Sequence, residues 1–172
     1  MESLDIGSGG SEKFPEHTLR GNIHLDLLKP IHKIPNFILC DTHNLPLKAD
    51  LFDKVFLYDV IEHLGFPLKA LLEIKRILKL KGLLELGTPN ALYLPKIIRS
   101  ILRGSYIPHR DHILTYGKPE LNNLFTRAGF KGTIQYVTYR DEKKSLHYSF
   151  FVRICPFPAL KQRQLLAYVR KE

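Results

Sequence analysis

Tryptophan is missing from this chain of 172 residues, methionine occurs once, and cysteine twice, as Cys40 and Cys155. Two cysteines without a C-x-x-C or metal-ligand spacing exclude a disulfide scaffold and a zinc ribbon. They read as buried thiols, and no metal site is expected. Also lacking are an apolar run long enough to span a membrane and a basic-then-apolar leader, since Met1-Glu2-Ser3 runs straight into a strand. A cytoplasmic protein is the expectation. No G-K-[ST] follows the first glycines, which excludes a P-loop, and no third glycine completes G-x-G-x-x-G. Acidic residues thin out along the chain: residues 1–66 hold 6 Lys+Arg against 10 Asp+Glu, and residues 67–172 hold 20 against 7. A basic half invites an anionic partner, small molecule or nucleic acid. No RNP-type aromatic motif, zinc finger or uninterrupted arginine arm accompanies it.

What is present suits one domain with a sizeable core, at 44% hydrophobic and 25% charged residues. The chain opens with Leu4-Asp5-Ile6 and collapses into Gly7-Ser8-Gly9-Gly10-Ser11. That pattern is a strand feeding a tight loop where a ligand approaches backbone without meeting a Cβ. Pro15 weakens any helix over residues 12–20. Further strands are expected over 23–26, 37–41, 54–59 and 83–88, and helices over 66–80, 92–102 and 118–128, the last stopped by Gly129. Strands over 131–139 and 147–154 form a closing hairpin, followed from residue 161 by a basic amphipathic tail that docks or frays. Parallel βα units with a closing hairpin make an α/β sandwich. Three early strands end near acids, Asp5, Asp26 and Asp41. Ligands of open α/β sheets bind at the carboxyl ends of strands, so these acids should line one crevice.

Asp26 lies about 20 residues after the glycine loop, where an acid holds ribose hydroxyls, so an adenosine-containing ligand is expected. Glu12 stands where a dinucleotide fold needs its third glycine, and a carboxylate there would face the pyrophosphate. Asp5 instead suits a ligand whose polar end carries an ammonium and a sulfonium. The charges favour S-adenosylmethionine over NAD.

Several spaced passages then resemble the class I S-adenosylmethionine-dependent methyltransferases of the type 11, ubiquinone-biosynthesis-like group. They are Leu4-Asp5-Ile6-Gly7-Ser8-Gly9, Cys40-Asp41-Thr42-His43-Asn44-Leu45-Pro46, Asp59-Val60-Ile61-Glu62-His63-Leu64, Thr88-Pro89-Asn90 and Ala128-Gly129-Phe130. Phe52-Asp53-Lys54-Val55 and the Arg76-Ile77-Leu78 stretch up to Gly82 go with them. The resemblance implies a Rossmann-like doubly wound α/β fold. Its mostly parallel sheet would have six to seven strands and a C-terminal antiparallel hairpin, in a three-layer sandwich. It implies one domain: a cofactor core over 1–130, the hairpin over 131–154 and the tail over 155–172. The usual N-terminal cap helices are not expected, so that residues 105–116 or a second copy in a homodimer would roof the site.

By the same resemblance S-adenosylmethionine is the methyl donor and S-adenosylhomocysteine the product. Asp5, Gly7, Ser8 and Gly9 would meet its amino-acid end, and Asp26 with Leu27 its ribose. Asp41 would accept the adenine amino group, with Thr42, His43 and Leu45 packing nearby. Tyr58 and Asp59 would lie beneath the methyl group, with His63 closing that side. Catalytic candidates are His63, Asp111 and His112, the last two as a base with its orienting carboxylate. Glu62 and His63 have a plainer reading as caps of the next helix. Arg103 and Arg110 would grip an anionic acceptor. No N-P-P-[YF] follows the fourth strand, which argues against adenine- or glutamine-type nitrogen acceptors. A small-molecule methyltransferase is the leading expectation. A non-catalytic cofactor- or partner-binding domain and an RNA or protein methyltransferase are the alternatives.

Overall fold

Short runs of branched and aromatic residues build the centre of the sheet. The computed structural model describes residues 1–8, 20–30, 33–104, 112–137 and 157–172. In it β1 (Ser3–Ile6), β2 (Ile23–Asp26), β3 (Phe37–Leu39), β4 (Phe52–Tyr58) and β5 (Leu78–Pro89) pair in parallel. With β6 (Phe130–Val137) and β7 (Gln164–Lys171) they form one seven-stranded sheet in the order β3-β2-β1-β4-β5-β7-β6. β7 runs antiparallel to both its neighbours. Leu4, Val55, Leu57, Leu84 and Leu86 are fully buried, as happens where parallel strands are covered on both faces. The doubly wound α/β architecture with its antiparallel C-terminal end is the one the resemblance implies.

Pro67 opens α1 (Pro67–Ile77) where the missing N–H has no helical partner to lose, and Ala70, Leu71, Ile74 and Ile77 form its buried stripe. α2 (Leu94–Leu102) and α3 (Lys118–Ala128) follow, and a short α4 (Pro158–Lys161) precedes β7. α3 ends at Gly129, which takes the left-handed conformation at φ 73°. α1 and α3 pack against each other, and α1 against β5. Cys40 is a free thiol, partly rather than fully buried.

Two elements differ from the sequence reading. The first helix ends at Ile77 and not near residue 80, because Leu78 pairs at once with Phe52. Residues 79–82 then bulge opposite Asp53, with Lys81 at φ 64°, so Lys81-Gly82 kinks a strand and does not stop a helix. The strand expected over 147–154 lies outside the described residues. The tail expected to dock or fray is β7, which buries Leu165, Ala167 and Val169 between β5 and β6. Asn90, 1% exposed, ties this tail to the end of β5: its Nδ2 donates to Ala159 O at 2.6 Å and Gln162 O at 2.7 Å. Its Oδ1 accepts Leu92 N at 3.0 Å.

Candidate active site

The carboxyl ends of β1, β2, β3 and β4 meet along one rim. At the end of β1, Gly7 has φ 86°, and a Cβ there would lie 2.2 Å from Val60 Cγ2, so only glycine fits. Its amide donates to Leu25 O at 2.7 Å and the Ser8 amide to the same oxygen at 3.3 Å, which staples the turn to β2. Asp5 is buried. Its Oδ2 accepts the Arg20 amide at 3.1 Å and lies 3.8 Å from Nδ1 of His24, itself 4% exposed. The acid expected at the ligand thus anchors the return of the chain into β2. Gly9 lies outside the described residues.

Asp26 closes β2, and its Oδ1 accepts Leu28 N at 2.9 Å in a local turn that presents the carboxylate at the rim, with Leu27 66% exposed beside it. Asp41 follows β3. Its Oδ1 accepts His43 N at 2.9 Å and lies 2.6 Å from His43 Nδ1, and these bonds, the backbone one foremost, hold its carboxyl below the usual range. Thr42 and Leu45 are buried behind it. A latch from α1 fixes this loop: Leu45 N donates to Glu73 Oε2 at 3.0 Å, and Arg76 donates to Leu45 O at 2.9 Å and Leu47 O at 2.7 Å.

Arg76, and then the Leu45 amide, hold the Glu73 carboxyl below its ordinary value of 4.5. A depressed folded value means that the stabilisation is present above pH 4.5 and is lost as pH falls through the folded pKa. Glu73→Gln therefore unfolds about 1 kcal/mol more easily than the parent at pH 7, and the gap closes as the pH drops below that range. Urea melts of both proteins at several pH values measure this; a gap that stays constant with pH removes the ionic latch.

β4 delivers Tyr58 and Asp59. The Tyr58 hydroxyl donates to Glu85 Oε1, and the Arg20 guanidinium stacks on its ring at 3.9 Å. Asp59 sits at φ 51°, its amide donating to Gly87 O at 2.9 Å, and Gln164 Nε2 of β7 reaches its Oδ1 at 3.5 Å. Next comes a 3₁₀ turn, Ile61–His63. Its Glu62 is 1% exposed and accepts Thr88 Oγ1 on Oε2 at 3.0 Å. Burial, with Asp59 adding repulsion, pushes the Glu62 carboxyl up to about 7. Tyr116, buried opposite, has its hydroxyl pushed up to about 12 by burial and by Glu62.

Ile113 and Leu114 donate their amides to Glu62 O at 2.9 and 3.0 Å, which brings the His112 segment onto the turn. The His63 and His112 rings meet edge to face, centroids 4.7 Å apart. Two of the three catalytic candidates are therefore brought together, and Asp111 lies outside the described residues. The capping alternative for Glu62 and His63 is corrected: α1 begins at Pro67, with Phe66 at its N-cap and no side-chain cap hydrogen bond. Glu62 turns inward because the short turn carries it over the end of β5, where Thr88 waits. Sequence reasoning missed Thr88, Tyr116, Arg20 and Gln164. Thr88-Pro89-Asn90 was visible as a motif, but nothing local says which buried acid it serves.

Among the described residues no helix is long and apolar enough to cross a membrane. A family model described as a methyltransferase domain matches residues 3–135. An uncharacterized protein of Methanocaldococcus jannaschii is 43% identical over 74 residues, a stretch that is 43% of this chain and 32% of that protein. The fold superposes on a SAM-dependent methyltransferase from Archaeoglobus fulgidus with TM-score 0.69 and 17% identity, covering 99% of this chain and 85% of that one. It is also similar to 1,6-didemethyltoxoflavin-N1-methyltransferase of Burkholderia thailandensis, solved with S-adenosylhomocysteine, at TM-score 0.60 and 17% identity over 99% and 71% of the two chains. With its family model spanning most of the sequence, the chain belongs to the methyltransferase-domain family.

Proposed function

We propose that this chain binds S-adenosylmethionine at the carboxyl ends of β1 to β4 and transfers its methyl group to a small-molecule acceptor. The observation that carries this reading is the placement of Asp26 and Asp41 at the ends of adjacent strands, beside the Gly7 turn and the β1/β4 point where strand order reverses. Asp26 accepts the two ribose hydroxyls. Asp41, oriented by His43, accepts the adenine amino group, with Thr42 and Leu45 as the pocket wall held by the Glu73–Arg76 latch. Gly7 and Ser8 let the amino-acid end lie close to the backbone. Asp59 and the His63–His112 pair border the methyl group.

The sulfonium is already an activated donor, so this chain's residues mainly position. They hold the acceptor atom about 3–3.5 Å from the methyl carbon, in line with the breaking C–S bond, and keep water out. The toxoflavin-precursor enzyme, which shares the fold, favours a small acceptor over a polymer. Calorimetric titration tests the cofactor: saturable single-site heat with S-adenosylhomocysteine and none with NAD is expected. Silence with both ligands in folded protein overturns the proposal.

A further inference from the structure

We propose that Glu62, His63 and His112 form a binding site for one divalent transition-metal ion beside the methyl-transfer position. One ligand atom from each of the three residues lies within 4.8 Å of the other two. Side chains around a cation bound at about 2.0–2.2 Å stand roughly 3–3.5 Å apart, so small rotations of the two imidazoles close the set.

The site is built, not merely crowded. Glu62 is 1% exposed; Thr88 holds its Oε2 at 3.0 Å, while Oε1 is buried with no protein partner among the described residues. A carboxylate in that position needs a cation or a donor, and the donor set within reach is two imidazoles that bind metals through a ring nitrogen. Thr88 plays the orienting part that outer-shell partners play at metal sites. His112 is not a stray surface residue, because the amides of the next two residues, Ile113 and Leu114, are bonded to the carbonyl of Glu62. Glu62 and His63 are consecutive, but α1, β5 and α2 separate them from His112 in sequence, which is why spacing alone gave no metal motif.

Two nitrogens and one oxygen suit Zn²⁺, Co²⁺ or Fe²⁺ better than Mg²⁺ or Ca²⁺, and three protein ligands leave a coordination position open. Its use rests on the methyltransferase reading above: the open position would take an acceptor hydroxyl and lower its pKa. The hydroxyl proton passes to solvent, the oxygen lone pair forms the C–O bond to the methyl carbon, and the C–S pair leaves on S-adenosylhomocysteine. Oxygen acceptors thereby become the favoured class, in keeping with the missing N-P-P-[YF].

The test uses the full chain without a histidine tag, stripped with chelator and titrated with Co²⁺. Expected are one Co²⁺ per chain, a visible ligand-field band, and its displacement by Zn²⁺. His112→Ala and His63→Ala should each weaken Co²⁺ binding more than about 100-fold, and Thr88→Val about tenfold, the scale seen for outer-shell partners. Circular dichroism and S-adenosylhomocysteine affinity, read on the same samples, separate loss of metal from loss of fold. Weak Co²⁺ binding that none of these substitutions alters overturns the site. So does S-adenosylhomocysteine binding by a protein that takes up no Co²⁺, an outcome that leaves the cofactor proposal standing.

Discussion

Asp26→Ala is expected to weaken S-adenosylhomocysteine binding about 100-fold, close to 2.7 kcal/mol, with little change in thermal stability. A carboxylate that accepts two hydroxyls makes charge-assisted bonds worth about 1.5–3 kcal/mol, and nothing else on β2 replaces it. The bond from Leu28 N to the Asp26 carboxylate lies in an exposed turn and adds little to the fold. Asp26→Asn separates the two roles: it keeps an acceptor for Leu28 and loses the charge, so it should cost about tenfold. Calorimetry on the three proteins reads the series. Equal affinities would move the ribose away from this strand end and take the assignment of Leu27 and Asp41 with it.

This rim was legible because its signals are local. A glycine that tolerates φ 86°, an acid at a strand end and an apolar stripe at helical spacing each occupy a few consecutive residues. What stayed hidden depends on partners distant in sequence. Asp5 reads as a ligand-facing acid, and only the return of the chain through Arg20 and His24 shows that its carboxylate also anchors that return. Glu62 reads as a helix cap, yet Thr88 and Tyr116 give it a buried environment that no neighbouring residue announces. α1 runs short for a similar reason. Residues 78–80 continue the helical pattern, but pairing of Leu78 with Phe52 offers their backbone a sheet partner, and tertiary context overrides propensity.

β7 is the sharpest case. Gln164–Lys171 alternates as a strand should, but its basic residues and its place at the end of the chain make it look like an appendage. Its insertion between β5 and β6 predicts the largest loss of stability from a single substitution. Gly132 of β6 faces Val169, and a Cβ there would lie 2.0 Å from Tyr168 O and 2.6 Å from Val169 Cα. Both are backbone atoms of β7, which is paired on both sides, so no side chain can swing aside to relieve the clash. Gly132→Val should cost about 3 kcal/mol, the upper part of the overpacking range. For a chain of this size that lowers the melting temperature by roughly 6–12 °C. Thr133→Val, one residue on and exposed, should stay within about 0.5 kcal/mol of the parent. Because β7 also carries Gln164 to Asp59, displacing it should loosen the methyl-transfer side of the rim as well as the sheet edge. A Gly132→Val protein that melts with its parent would mean that β6 and β7 do not pair in this register, and the tail would lose its place in the sheet.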